Sequence, residues 1–103
     1  MEKIPNALFD EAVFVNEVYS FRNQETPEKR FLVMDKIADF DKKLKVNMVS
    51  LYGTTQILQQ VPAWQALIGG SIEDETNITP EQKNEINKQI KDFIEKTKAE
   101  LSQ

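Results

Sequence analysis

The stretch that decides the fold runs from Thr26 to Gly70 and reads TPEKRFLVMDKIADFDKKLKVNMVSLYGTTQILQQVPAWQALIGG. It opens with a helix-start signal, because the Thr26 hydroxyl can accept from first-turn N–H groups and Pro27 needs no N–H at the first helical position. Glu28 then stands near the positive end of the helix dipole. These three residues predict a helix that begins at Pro27 with Thr26 as its cap.

Apolar residues after Pro27 recur at steps of three or four, which is the spacing of one helix face. They are Met34, Ile37, Phe40, Leu44, Met48, Leu51, Thr55 and Leu58. The residues predicted to be in the core are Ile37, Phe40, Leu44, Met48 and Leu51. A helix unbroken to Gln60 would be roughly 50 Å long, more than a compact domain of this size needs. Gly53 is the predicted weak point, because Gly in a helix interior costs about 1 kcal/mol relative to Ala.

The residues before this stretch predict a first helix from about Ala7 to Arg22, with Asn6 as its N-cap. A strand is the competing interpretation, because residues 12–15 are rich in strand formers. The polar residues come in pairs rather than alternating, which favours a helix. Two neighbouring apolar stripes result, one with Leu8, Ala12, Val15 and Tyr19, the other with Phe14, Val18 and Phe21.

After Gly53 the segment from Thr54 to Gln60 is predicted to resume a helix, and two further helices follow it. A short one spans Pro62–Ile68 and is stopped by Gly69, since Gly accepts the left-handed conformation that ends helices. Residues 71–77 are predicted to form an exposed acidic loop. The last helix begins after Thr79, whose Thr-Pro-Glu signal repeats that of Thr26, and runs to about Leu101. Its apolar stripe is Ile86, Ile90, Phe93, Ile94, Thr97 and Leu101.

The fold class predicted from these signals is all-α. Its architecture is an irregular bundle of three long helices plus one or two short helices, within a single helical domain that spans residues 1–103. The chain has 103 residues of which 40% are hydrophobic, which is enough to bury a core.

Composition excludes several classes of function. The net charge is −4 and the densest lysine cluster is flanked by aspartates, so nucleic acid is not an expected partner. Cysteine and histidine are both absent, which removes thiolate metal sites, thiol catalysis and the commonest general base. No cofactor is expected. No apolar run approaches about 18 residues and no signal peptide is evident, so no membrane partner and a cytoplasmic location are expected.

Acidic residues on the first two helices offer one candidate chemistry. Asp35 and Asp39 share a helix face, and Glu11 or Glu17 would join them if the preceding helix lay alongside. Carboxylates on facing helices can hold magnesium and phosphates. The favoured interpretation is simpler: Asp35, Asp39 and Asp41 form a solvated face paired with nearby lysines.

Trp64 is the only tryptophan and is followed by Leu67 and Ile68 on the same short helix. These three residues are the candidate partner-binding site, because tryptophan is enriched at interaction hot spots. The competing interpretation, which is favoured for Trp64, is that the ring closes one end of the core.

The predicted function is that of a small non-catalytic helical protein acting through protein–protein interaction or self-assembly. An accessory factor, an inhibitor or an assembly subunit would fit, with another protein or a second copy as partner. The basis is a surplus of apolar surface on the first helix and on residues 46–68. The alternative is a magnesium-dependent nucleotide phosphohydrolase that uses the helix carboxylates.

Overall fold

The computed structural model describes residues 10–71 and 77–102. In these residues the chain forms only helices and no strand. The elements are α1 (Glu11–Arg22), α2 (Pro27–Tyr52), a 3-10 helix (Gln56–Gln60), α3 (Pro62–Ile68) and α4 (Pro80–Leu101). The all-α prediction, with three long helices and two short ones, is confirmed. Most of the predicted acidic loop, residues 72–76, lies outside the described residues.

Residues 11–22 form a helix, α1, and not a strand, but this helix begins later than predicted. Its N-cap is Asp10, whose side chain accepts from the backbone N–H of Ala12 at 3.0 Å and of Val13 at 3.2 Å. The predicted start at Ala7 is therefore wrong, because Asp10 has extended backbone and cannot lie inside a helix. The predicted cap, Asn6, lies outside the described residues. The stripe that α1 buries is Phe14, Val18 and Phe21.

The second helix, α2, begins and ends at the residues that carry the capping signals. Thr26 accepts from the Lys29 N–H at 3.2 Å, and Pro27 is the first helical residue. Gly53 ends the helix with a φ of 75°, and its N–H donates to the Val49 carbonyl at 2.9 Å. The helix does not continue to Gln60, because glycine takes the left-handed conformation at no steric cost and the chain turns there.

The buried stripe of α2 differs from the predicted one at both ends. Ile37, Leu44 and Met48 are buried as predicted, and Phe40 is half-buried against the core. Leu51 is 58% exposed, so its prediction as a core residue is wrong; the neighbouring Tyr52 packs on the core instead. The residue that packs on the core is thus four positions after Met48, not three. Repeated steps of four make the buried stripe wind around α2, so its neighbours cross it at an angle.

The third helix, α3, ends at two glycines and accepts a hydrogen bond from an arginine of α1. Gly69, with a φ of 79°, ends it, and both Gly69 and Gly70 donate their N–H to the Gln65 carbonyl. A Cβ on Gly70 would overlap the Gln65 Oε1, so only glycine fits there without a shift of that side chain. The guanidinium of Arg22 donates to the Ala66 carbonyl at 3.2 Å. That bond joins the end of α1 to the end of α3.

The last helix, α4, closes the core with a narrow apolar stripe. Thr79 and Gln82 form a reciprocal capping box, with bonds of 3.1 Å and 2.9 Å between each side chain and the other's N–H. Ile86, Ile90 and Ile94 are fully buried, which confirms the predicted stripe. Contacts between α2 and α4 pair early residues of one with late residues of the other, so the two helices run antiparallel.

The caps of α2 and α4 lead to a stability prediction. Replacing Thr26 or Thr79 by alanine is expected to lower the free energy of unfolding by about 1 kcal/mol each, because a first-turn N–H loses its partner. Urea denaturation followed by far-UV circular dichroism measures the loss. The matched control is Thr26→Ser, which keeps the hydroxyl and should recover most of the stability. Equal losses for serine and alanine would contradict the role of the hydroxyl as the cap.

Candidate functional site

The three residues predicted to bind a partner have very different exposures. Trp64 is 2% exposed and Leu67 is fully buried, whereas Ile68 is 42% exposed. The Trp64 ring lies against Phe40, with centroids 6.4 Å apart and planes tilted by 59°. Trp64 and Leu67 are therefore part of the core, as the competing interpretation proposed for the tryptophan. Of the three, only Ile68 presents a surface that a partner could touch.

Three of the four carboxylates of the magnesium hypothesis lie beside lysines. Asp39 is 3.1 Å from Lys43, and Glu11 is 3.4 Å from Lys83. Glu17 lies within 4 Å of two further lysines on α4. Within residues 10–71 and 77–102, no group of three or more acidic side chains is placed to hold a metal ion. The pairs of Glu11 and Glu17 join α1 to α4, whereas the Asp39 pair lies within α2. Among residues 10–71 and 77–102 Asp35 forms no ion pair, so its predicted pairing with a lysine is wrong.

The aspartates allow a direct experiment on the magnesium hypothesis. Asp35→Asn and Asp39→Asn are each expected to change the free energy of unfolding by no more than about 1 kcal/mol, because exposed carboxylates contribute little whether or not a lysine is near. Magnesium is expected to leave the melting temperature of the wild type unchanged, since only a ligand of the native state raises it. Magnesium-dependent nucleotide hydrolysis that is present in the wild type and lost in Asp39→Asn would contradict this prediction.

A groove of about 380 Å³ lies between α2 and α4. Its floor contains the stacked rings of Phe40 and Phe93, with centroids 4.3 Å apart and planes within 7° of parallel. Its rim carries both signs of charge, namely Lys36, Lys43, Lys96, Asp39, Asp92 and Glu100. Since the rim charges balance, the groove favours neither an anionic nor a cationic ligand.

The best-formed ion pair on that rim joins Lys36 Nζ to Glu100 Oε1 at 2.9 Å. Its hydrogen bond and charge raise the pKa of Lys36 and lower the pKa of Glu100. The contribution of Glu100 to stability is thus present above its unfolded pKa and lost as the pH falls through the lowered value. That of Lys36 is present below its unfolded pKa and lost as the pH rises through the raised value. This ion pair links α2 to α4, and its role is to stabilise the fold.

The side of α2 that faces away from the core exposes large apolar residues. Phe31 is 77% exposed, Val46 is 68% exposed and Val49 is 54% exposed. We call the outer face of α2 the surface formed by Phe31, Met34, Asp35, Ala38, Lys42, Lys45, Val46 and Val49. All eight residues are exposed to solvent. Apolar groups therefore stand at both ends of the outer face, with charged residues between them.

The sequence predictions did not single out this surface. The signal was present, because Phe31, Ala38 and Val49 stand at helical spacing on the side opposite to Ile37 and Leu44. A second apolar stripe on a helix that already has a core stripe indicates a second contact.

No family model matches the chain, and no curated protein or solved structure is significantly similar to it. Of the helices in residues 10–71 and 77–102, none is both long and apolar enough to cross a membrane. Support for a function therefore comes from the chain's own surface, and above all from the outer face of α2.

Proposed function

We propose that this protein is non-catalytic and acts by binding another protein chain, either a different protein or a second copy, through the outer face of α2. The observation that carries the proposal is the exposure of Phe31, Val46 and Val49 on one side of one helix. Scattered apolar residues on a surface are ordinary, but a set aligned along one helix face indicates an interaction site. A cytoplasmic location is part of the proposal, and the absence of cysteine fits a reducing compartment.

The shape of α2 supports this role. The helix has 26 residues and is therefore about 39 Å long, so its outer face is a ridge of about that length. A ridge of this kind fits a groove or another helix on a partner, where every third or fourth residue makes contact. Ile68 lies on a different helix, α3, and is not needed for this contact.

Site-specific photo-cross-linking tests the proposal. A benzophenone amino acid placed at position 31 is expected to form a covalent adduct with a protein chain in cells that make this protein. The matched control carries the same group at Asn84, an exposed residue of α4, and should give no adduct. Adding Val49→Asp to the position-31 variant should suppress the adduct, because it puts a charge into the apolar contact. Equal adducts from positions 31 and 84, or none from either, would contradict the proposal.

A further inference from the structure

The outer face of α2 contains a regular seam. Its residues recur at alternating steps of four and three, in the order Phe31, Asp35, Ala38, Lys42, Lys45 and Val49. This alternation is the spacing of the a and d positions of a coiled coil, which lie along the line where two helices touch. The seam therefore has the geometry to receive a second helix along most of its length.

The seam is also complementary to itself when reversed. Consider an antiparallel pair of α2 helices with the two-fold axis beside residue 40. A residue of one copy then lies opposite the residue of the other copy that is equally far from residue 40 on the other side. Phe31 then lies opposite Val49 of a second copy, and Asp35 lies opposite Lys45. The third opposed pair is Ala38 and Lys42, in which a small residue lies beside a long one. An interface between identical chains requires this kind of self-complementarity.

Two charges of the seam have no ion-pair partner among the described residues of one chain. Among residues 10–71 and 77–102, neither Asp35 nor Lys42 forms an ion pair, whereas the neighbouring Lys43 and Lys45 each have an aspartate. Asp35 and Lys42 are about 10 Å apart along the helix axis. In the antiparallel pair, Asp35 of each copy comes close to Lys42 and Lys45 of the other. In a parallel pair, Asp35 would instead face Asp35 of the other copy and Lys42 would face Lys42, so like charges would meet.

We propose that the occupant of the outer face of α2 is a second copy of this chain, bound antiparallel with the two-fold axis beside residue 40. This inference rests on the proposed function and specifies its partner. Phe31 and Val49 supply apolar contact at each end of the seam, twice by symmetry. The charged middle sets the direction, as polar residues within a coiled-coil seam select register and orientation.

Sedimentation equilibrium of the purified chain over a concentration series tests the dimer. The wild type is expected to change from monomer to dimer as its concentration rises. Asp35→Lys and Lys45→Asp should each weaken dimerisation by at least about tenfold, because each places like charges opposite each other. The double variant with both changes should bind more tightly than either single one, since the exchanged charges pair again. A wild type that stays monomeric, or a double variant weaker than both singles, overturns the proposal.

Cysteine cross-linking tests the direction of the helices, because the natural chain has no cysteine. A mixture of Phe31→Cys and Val49→Cys chains should be joined by a short thiol cross-linker. Either variant alone should not be joined, because the two copies of one position would lie about 27 Å apart. Efficient joining of Phe31→Cys alone indicates a parallel pair and overturns the proposal. Both residues are exposed, so neither change is expected to prevent folding.

The two proposals can fail separately. A purified chain that is monomeric at every concentration, with position 31 still cross-linking to a different protein in cells, overturns the dimer and leaves the proposed function standing. Absence of both the dimer and any position-31 adduct overturns both proposals.

Discussion

Trp64→Ala is expected to lower the free energy of unfolding by about 3–5 kcal/mol, the cost of removing a large buried aromatic side chain. The ring is almost completely enclosed and touches Phe40 of α2, so its loss would leave a cavity between α2 and α3. Urea denaturation followed by far-UV circular dichroism is the measurement. Fluorescence does not serve, because the substitution removes the only tryptophan of the chain.

The matched control is Ile68→Ala on the same helix. Ile68 is half-exposed, so its truncation is expected to cost less than about 1 kcal/mol, the usual range for surface changes. A small loss for Trp64→Ala, together with weaker binding to a partner, would mean that the ring is an interaction anchor. A large loss with dimerisation unchanged is the outcome expected for a residue that closes the core.

The ends of the helices could be predicted from the sequence because capping is a local interaction. The Thr26 hydroxyl bonds a backbone N–H three residues later, and Thr79 does the same. Gly53 and Gly69 act through their own φ angles. None of these effects depends on what else packs nearby, so a few adjacent residues decide where α2, α3 and α4 begin or end.

The register of the core at the ends of α2 could not be predicted from α2 alone. A helix has 3.6 residues per turn, so positions three and four residues along both lie near the same side. Val33 is buried although the predicted stripe began at Met34, and Tyr52 packs on the core where Leu51 was expected. Which of two adjacent residues turns inward depends on the angle at which α1, α3 and α4 cross the helix. That angle is set by other parts of the chain.

The outer face of α2 could not be recognised from the sequence alone for a related reason. Large apolar residues such as Trp64 and Leu67 are equally suited to a core and to an interface, and only their burial separates the two roles. Phe31 and Val49 looked unremarkable because charged residues stand between them along the helix. Their alignment becomes informative only once Ile37 and Leu44 are known to face the core. A second stripe then has no neighbour within the described fold.

Leu44→Ala and Leu51→Ala form a matched pair that tests this register. The substitution and the helix are the same, so the change in helix propensity is nearly equal in the two variants. Leu44 is fully buried and should lose about 2–5 kcal/mol of unfolding free energy, because a cavity remains. Leu51 is mostly exposed, and its truncation should cost less than about 1 kcal/mol.

Chemical denaturation of both variants under identical conditions gives the difference directly. Equal losses would mean that Leu51 is enclosed in the native molecule, either in the core or by a second chain. Dilution separates these two cases, because a contact with a second chain weakens as the concentration falls while a core contact does not. A loss at Leu51 that persists at low concentration would show that the core follows the three-residue step after Met48. The exposed position of Leu51 described above would then be wrong.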